Sequence, residues 1–265
     1  METPMKKAVL TTTLFLLFSA LIAAQTVPQS GASNATGGRS ALTPEQLAAR
    51  QRAQQEQLAN DWPNLARYRD ANHSLPPAAD GAPRVVFMGD SITEFWDRDP
   101  GNFFASQGYI GRGIGGQTTP QMLVRFQQDV VALKPKAVVI NGGTNDIAGN
   151  TGPSTLEMIE DNLKSMAQIA AANGIKVILA SVTPAFDYPW RPGLQPAEKV
   201  VALNSWMKDY CSRTGCVFAD YFSAMSDDNH AMKEGLSRDG IHPTPAGYQI
   251  MAPIAEKAIT QALGK

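Results

Sequence analysis

The 265-residue sequence is short of four things. It has two cysteines, Cys211 and Cys216, and three histidines, His73, His230 and His242. Its charges nearly cancel: 23 Lys and Arg stand against 24 Asp and Glu, for a net charge of −1. Beyond the first 24 residues there is no apolar run near the ~20 residues that a membrane span needs. Each shortage excludes something. Balanced charge supplies no basic face for nucleic acid and no pull toward an anionic membrane. No set of Cys, His, Asp or Glu has zinc spacing, so no metal or other cofactor is expected. No second apolar run and no internal repeat appear, so the mature chain is expected to make no stable membrane insertion.

What is present begins with a leader. Lys6 and Lys7 precede an uncharged apolar stretch from Leu10 to Ala24, and Ala23-Ala24-Gln25 fits a cleavage site. Residues 1–24 therefore read as a signal peptide, and the protein as secreted or periplasmic. The alternative is a membrane anchor, for which the stretch is short. No cysteine follows it, which argues against a lipoprotein anchor. Residues 25–41, rich in Gly, Ser, Ala, Thr and Asn, read as a disordered linker. Residues 42–83 read as an N-terminal helical extension. Thr43 is placed as N-cap, Pro44 at the first helical position, Gln46 to close a capping box, and Leu42 with Leu47 as a staple. The apolar face of this helix is thin, so it is expected to lie on the surface and contribute little chemistry. Export leaves two readings for Cys211 and Cys216: a disulfide across a short loop, or two buried thiols.

From residue 84 to 265, strands and helices alternate. Strands are expected at Arg84–Met88, Tyr109–Gly111, Ala137–Asn141, Lys176–Val182 and Val217–Asp220. Several are continuous β-branched runs, as in strands covered on both faces. Helices are expected at Thr119–Leu133, Thr155–Asn173, Pro196–Thr214 and after Thr244-Pro245. This rhythm predicts one doubly wound α/β domain with a mainly parallel five-stranded sheet. In such sheets ligands bind beyond the carboxyl ends of the strands.

Four short strings sit at such ends. Gly89-Asp90-Ser91 follows the first strand and can expose a serine hydroxyl. Gly111 to Thr119 is glycine-rich. It formally contains Gly-x-Gly-x-x-Gly at Gly111, Gly113 and Gly116, but it follows the second strand and lacks the acidic residue of a dinucleotide site. Its competing use is a backbone amide from Gly116 aimed at an oxyanion. Asn141-Gly142-Gly143-Thr144-Asn145-Asp146 can add a side-chain amide from Asn145. Asp239-Gly240-Ile241-His242 spaces a carboxylate and an imidazole so that one can orient the other. Each string alone fits an ordinary turn or loop; together they supply nucleophile, base, orienter and oxyanion donors.

The set resembles the SGNH hydrolases, the GDSL esterase/lipase family, over roughly residues 84–260. The matching blocks are Gly-Asp-Ser-Ile, Gly-Gly-Gln-Thr, Gly-Thr-Asn-Asp and Asp-Gly-Ile-His-Pro. The pattern is similar to the branch of platelet-activating-factor acetylhydrolase-like and carbohydrate acetylesterase-like proteins. The resemblance implies a three-layer α/β/α flavodoxin-like fold. It also implies a catalytic set of Ser91, Asp239 and His242, with an oxyanion hole from the Ser91 amide, the Gly116 amide and the Asn145 side chain. Three positions depart from the family pattern: Ile92 replaces a leucine, Gln117 stands where many relatives are acidic, and Arg112 stands near an expected asparagine.

The expected reaction is hydrolysis of short-chain, acetyl-type carboxylic esters through an acyl-enzyme, with a small-molecule or O-acetylated carbohydrate substrate. Two aromatic stretches are candidate substrate walls. One runs from Thr183 to Pro192 with Phe186, Tyr188 and Trp190. The other runs from Glu94 to Phe104 with Phe95, Trp96, Phe103 and Phe104. Packing among their own aromatics is the competing use. Rival readings are a lysophospholipase, a thioesterase, an acyltransferase using the same residues, and an inactive carbohydrate-binding protein.

Overall fold

The computed structural model describes residues 43–77 and 83–264. The expected signal peptide, linker and Leu42 staple lie outside the described residues. Residues from Pro44 onward form one compact unit. It opens with α1 (Pro44–Asn60) and the short α2 (Arg69–His73). Then follow β1 (Val85–Gly89), α3 (Ser91–Trp96), α4 (Phe103–Gln107), β2 (Ile110–Gly113), α5 (Thr119–Asp129) and β3 (Ala137–Asn141). The chain continues through α6 (Thr144–Ile147), α7 (Leu156–Ala172), β4 (Lys176–Ala180), α8 (Ala197–Thr214), β5 (Val217–Ala219), α9 (Tyr221–Met225) and α10 (Pro245–Ala262).

The five strands form one sheet in the order β2-β1-β3-β4-β5, and every pairing is parallel. Strand side chains alternate between two cores, as the two-residue period requires. Val86, Met88, Val138, Ile140, Val177 and Leu179 point to the face covered by α5, α7 and α8. Val85, Phe87, Ala137, Val139, Ile178 and Ala180 point to the face covered by α3, α4, α9 and α10. This is the three-layer flavodoxin-like arrangement the sequence predicts. The strand order reverses between β1 and β3, and their carboxyl ends flank the crevice that such a reversal opens. Ser91 follows β1 and Asn145 follows β3, so the switch point brings the first and third sequence blocks together.

The helix after Thr244 starts as expected: the Thr244 side chain accepts the Gly247 amide and Pro245 opens the helix. The helix expected to run to Leu133 ends at Asp129, and Val131–Leu133 is a separate 3-10 turn. The short helices α3, α4, α6 and α9 hold too few residues to show a helical period. Cys211 and Cys216 form a disulfide that ties the end of α8 to the chain entering β5. No helix among the described residues is long and apolar enough to cross a membrane.

Candidate active site

Ser91 is the first residue of α3, immediately beyond β1. Asp90 caps that helix by accepting the Ile92 amide at 2.9 Å. The tight turn requires glycine before it. A Cβ on Gly89 would fall 2.0 Å from Thr93 Oγ1 and 3.0 Å from the Asn141 carbonyl. Ser91 is buried, and its Oγ lies 2.9 Å from His242 Nε2, across 151 residues of chain.

His242 comes from the loop before α10. Its Nδ1 lies 2.6 Å from Asp239 Oδ2. The other carboxylate oxygen of Asp239 accepts the amides of Ile241 and His242, at 3.0 and 2.8 Å. Partial burial pushes the Asp239 carboxyl up, but the His242 ring and these two amides outweigh it and hold the pKa at about 2. With Asp239 ionised, Nδ1 carries the proton and Nε2 faces the serine as an acceptor.

The Gly116 amide has no acceptor among the described residues. Its φ of +77° is the left-handed conformation that glycine adopts without strain. Asn145 lies in the one-turn helix α6 and is buried. Its Nδ2 donates to the Gln117 carbonyl at 3.0 Å and, at a longer 3.3 Å, to Asp90 Oδ2. Its Oδ1 accepts from Asn150 Nδ2 at 2.9 Å, which fixes which end of the amide faces Asp90. Burial raises the Asp90 carboxyl to about 6, despite the Ile92 amide. Asp146, next to Asn145, accepts the Thr119 amide at 3.0 Å and the Thr119 hydroxyl at 2.6 Å, which locks α6 to the start of α5.

The family described as GDSL-like lipase/acylhydrolase matches residues 87–250. The chain belongs to this family. That is a family of carboxylic ester hydrolases, and the match spans all four blocks that the crevice assembles. A GDSL-like lipase of known structure from Bacteroides thetaiotaomicron is 44% identical, with a TM-score of 0.74, covering 77% of this chain and 100% of that one. An acetylxylan esterase from Xylanibacter ruminicola is 26% identical over 241 residues, 77% of this chain and 47% of that protein. This chain thus spans about half the length of that relative. An isoamyl acetate-hydrolyzing esterase 1 homolog from Bos taurus is 28% identical over 208 residues, 67% of this chain and 83% of that one.

Not every expected wall residue of this GDSL-family chain reaches the crevice. Trp96 is only 2% exposed; it stacks on Phe103 and on Tyr248, with ring centroids 4.8 and 5.5 Å away. Phe103 and Phe104 are buried in the same aromatic cluster around Phe87. Tyr188 is fully buried, and its hydroxyl bonds Thr144 Oγ1 at 3.0 Å. Trp96 and Tyr188 are therefore core residues and not substrate walls. Phe186 and Trp190 are exposed, and the Trp190 ring centroid lies 6.3 Å from that of His242. Phe95, on the outward side of α3, is exposed and lies 5.1 Å from the same ring.

Two groups escaped sequence reasoning. Asn150 joins three parts of the site: its Nδ2 also reaches the Gly116 carbonyl at 3.2 Å, and its Oδ1 accepts Trp190 Nε1 at 3.1 Å. Arg125 is fully buried, pairs with Asp129 at 3.1 Å, and donates to Gln117 Oε1 at 2.6 Å and to the Gly89 carbonyl at 2.9 Å. It thereby links the loop that carries Gly116 and Gln117 to the end of β1. The only sequence signal for Asn150 was its place in a Gly-Asn-Thr-Gly turn. Arg125 sat unremarked within α5.

Proposed function

We propose that this chain is a secreted serine esterase that hydrolyses short-chain, acetyl-type esters. The single observation that carries the reading is the unbroken line from Asp239 through His242 to the Ser91 hydroxyl, at 2.6 and 2.9 Å. In this reading His242 Nε2 takes the Ser91 proton as Oγ attacks the ester carbonyl. The amides of Ser91 and Gly116 and the Asn145 Nδ2 stabilise the oxyanion. The long Asn145 contact to Asp90 is the one the oxyanion replaces. His242 then protonates the leaving alcohol, and water, deprotonated by the same nitrogen, releases the acid.

The acetyl preference is supported by the crowding of the crevice, with Phe95 and Trp190 both beside His242. The names of the two esterase relatives point the same way. The substrate is proposed to be a small-molecule or carbohydrate ester. Residues 1–24 are proposed as the export signal, 25–41 as a linker, 42–83 as an extension and 84–265 as the hydrolase domain. A p-nitrophenyl ester series tests the preference. Peak kcat/KM at C2 to C4 supports it; a peak at C8 or longer points instead to a lysophospholipase or thioesterase.

A further inference from the structure

A cavity of about 500 Å³ opens beside the oxyanion loop. Its lining draws on four stretches that are far apart in sequence. Leu58, near the end of α1, and Trp62, just beyond it, belong to the N-terminal extension. Asn150, Trp190 and Arg191 come from the segments after α6 and β4, and Gly116 joins the cavity to the crevice. The helix of the extension lies on the surface as expected, with Leu47 and Leu58 exposed, but its end forms part of the wall of this cavity.

The extension is held there by hydrogen bonds and not by apolar contact alone. Gln121 Nε2 donates to the Trp62 carbonyl and Gln117 Nε2 to the Pro63 carbonyl, both at 2.7 Å. Gln128 Nε2 donates to the Leu65 carbonyl at 2.8 Å. Asp61 closes the turn by accepting the amides of Leu65 and Ala66. Arg112 donates to Asn72 at 2.8 Å and stacks over Tyr68 at 4.8 Å. Gln117 therefore has two jobs: one end holds the extension and the other accepts from Arg125.

Trp62 and Trp190 remain 38% and 40% exposed although their backbones or ring nitrogens are fixed. Between them the lining offers amide side chains, a threonine and one guanidinium, and no carboxylate. Exposed indole faces next to amide, hydroxyl and guanidinium groups suit a ring with C–H faces and equatorial hydroxyls. They do not suit a long acyl chain, which needs a continuous apolar channel, or a cation, which needs negative charge.

We propose that this cavity is a saccharide-binding subsite, in which Trp62 and Trp190 take sugar rings while an ester on the sugar reaches Ser91. The proposal rests on the esterase reading above and names the alcohol side of its substrate. Two measurements test it. The first compares kcat/KM on a partially O-acetylated xylo-oligosaccharide with kcat/KM on p-nitrophenyl acetate. Trp62→Ala should lower the saccharide-to-aryl ratio about tenfold, mainly through KM, and Trp62→Phe should restore most of it. An unchanged ratio overturns the subsite. The second uses the Ser91→Ala protein, whose cavity is intact. Its tryptophan fluorescence should shift saturably with the non-acetylated xylo-oligosaccharide, and the shift should shrink in Ser91→Ala/Trp62→Phe. No shift overturns the subsite whether or not Trp62→Ala folds. Failure of the esterase reading looks different: Ser91→Ala would keep its activity on p-nitrophenyl acetate.

Discussion

His242 meets its two partners through different nitrogens, and the division of labour follows from charge. Asp239 stays ionised down to about pH 2, so it can fix the imidazole tautomer across the working range. In the proposed mechanism Asn145 acts on the reaction itself. Asn145→Ala should lower kcat by ~10²–10³ with little change in KM, as loss of one oxyanion donor does elsewhere; steady-state kinetics on p-nitrophenyl acetate checks this. Asp90 makes a prediction of opposite sign to Asp239. Its carboxyl is raised to about 6 by burial, above the ~3.9 of an unfolded aspartate. Between these values the folded state holds the extra proton, so this group's contribution falls as pH rises from about 4 to 6. Asp239 works the other way, stabilising above about 4 and losing its effect as pH falls toward 2. Asp90→Asn should therefore flatten the loss of stability between pH 4 and 6, read as urea midpoints at several pH values; an unchanged slope counts against the raised pKa.

At the scale of elements, the sheet and its long helices were legible because each carries its own signal. β3 matches its expected bounds, since Ala137–Asn141 is a buried apolar run closed by a polar turn. The short helices were illegible for the converse reason. On α3, Phe95 faces the site and the adjacent Trp96 faces the core, a distinction that six residues of sequence cannot reveal. Arg125 ties elements together out of sequence view, because its partners lie on β1, in the loop before α5 and within α5. Removing its charge leaves the Asp129 carboxylate buried without its ion-pair partner, held only by the Asn72 and Gln128 amides. Arg125→Met should cost about 3–5 kcal/mol by denaturant unfolding, where a cost below about 1 would refute that role. The Cys211–Cys216 bridge sits at the amino end of β5, at the opposite edge of the sheet from Ser91. A bridge closing so short a loop contributes about 2 kcal/mol in the chain-entropy account. The Cys211→Ser/Cys216→Ser protein should melt roughly 4–8 °C lower with kcat/KM preserved; calorimetry and esterase assays check both halves.

For the molecule as a whole, all four sequence blocks converge at the switch point between β1 and β3; the first three follow strands, as expected, whereas Asp239 and His242 come from the loop between α9 and α10 and not from a strand end. The wall beside them was not readable from the sequence. Trp62 and Gly116 lie more than fifty positions apart and meet only because the extension folds back onto α5 through Gln117, Gln121 and Gln128. Gln121 and Gln128 carry no motif, and although Gln117 lies in the second block, nothing local marks any of the three as an anchor. In the proposed mechanism, hydrolysis nevertheless depends first on the hydroxyl at position 91. A fluorophosphonate probe followed by peptide mass spectrometry measures it most directly. The prediction is a single adduct on Ser91, with Ser91→Ala unlabelled and its ester hydrolysis reduced on the order of 10⁵–10⁶. An adduct on another residue, or near-normal hydrolysis by Ser91→Ala, would contradict it.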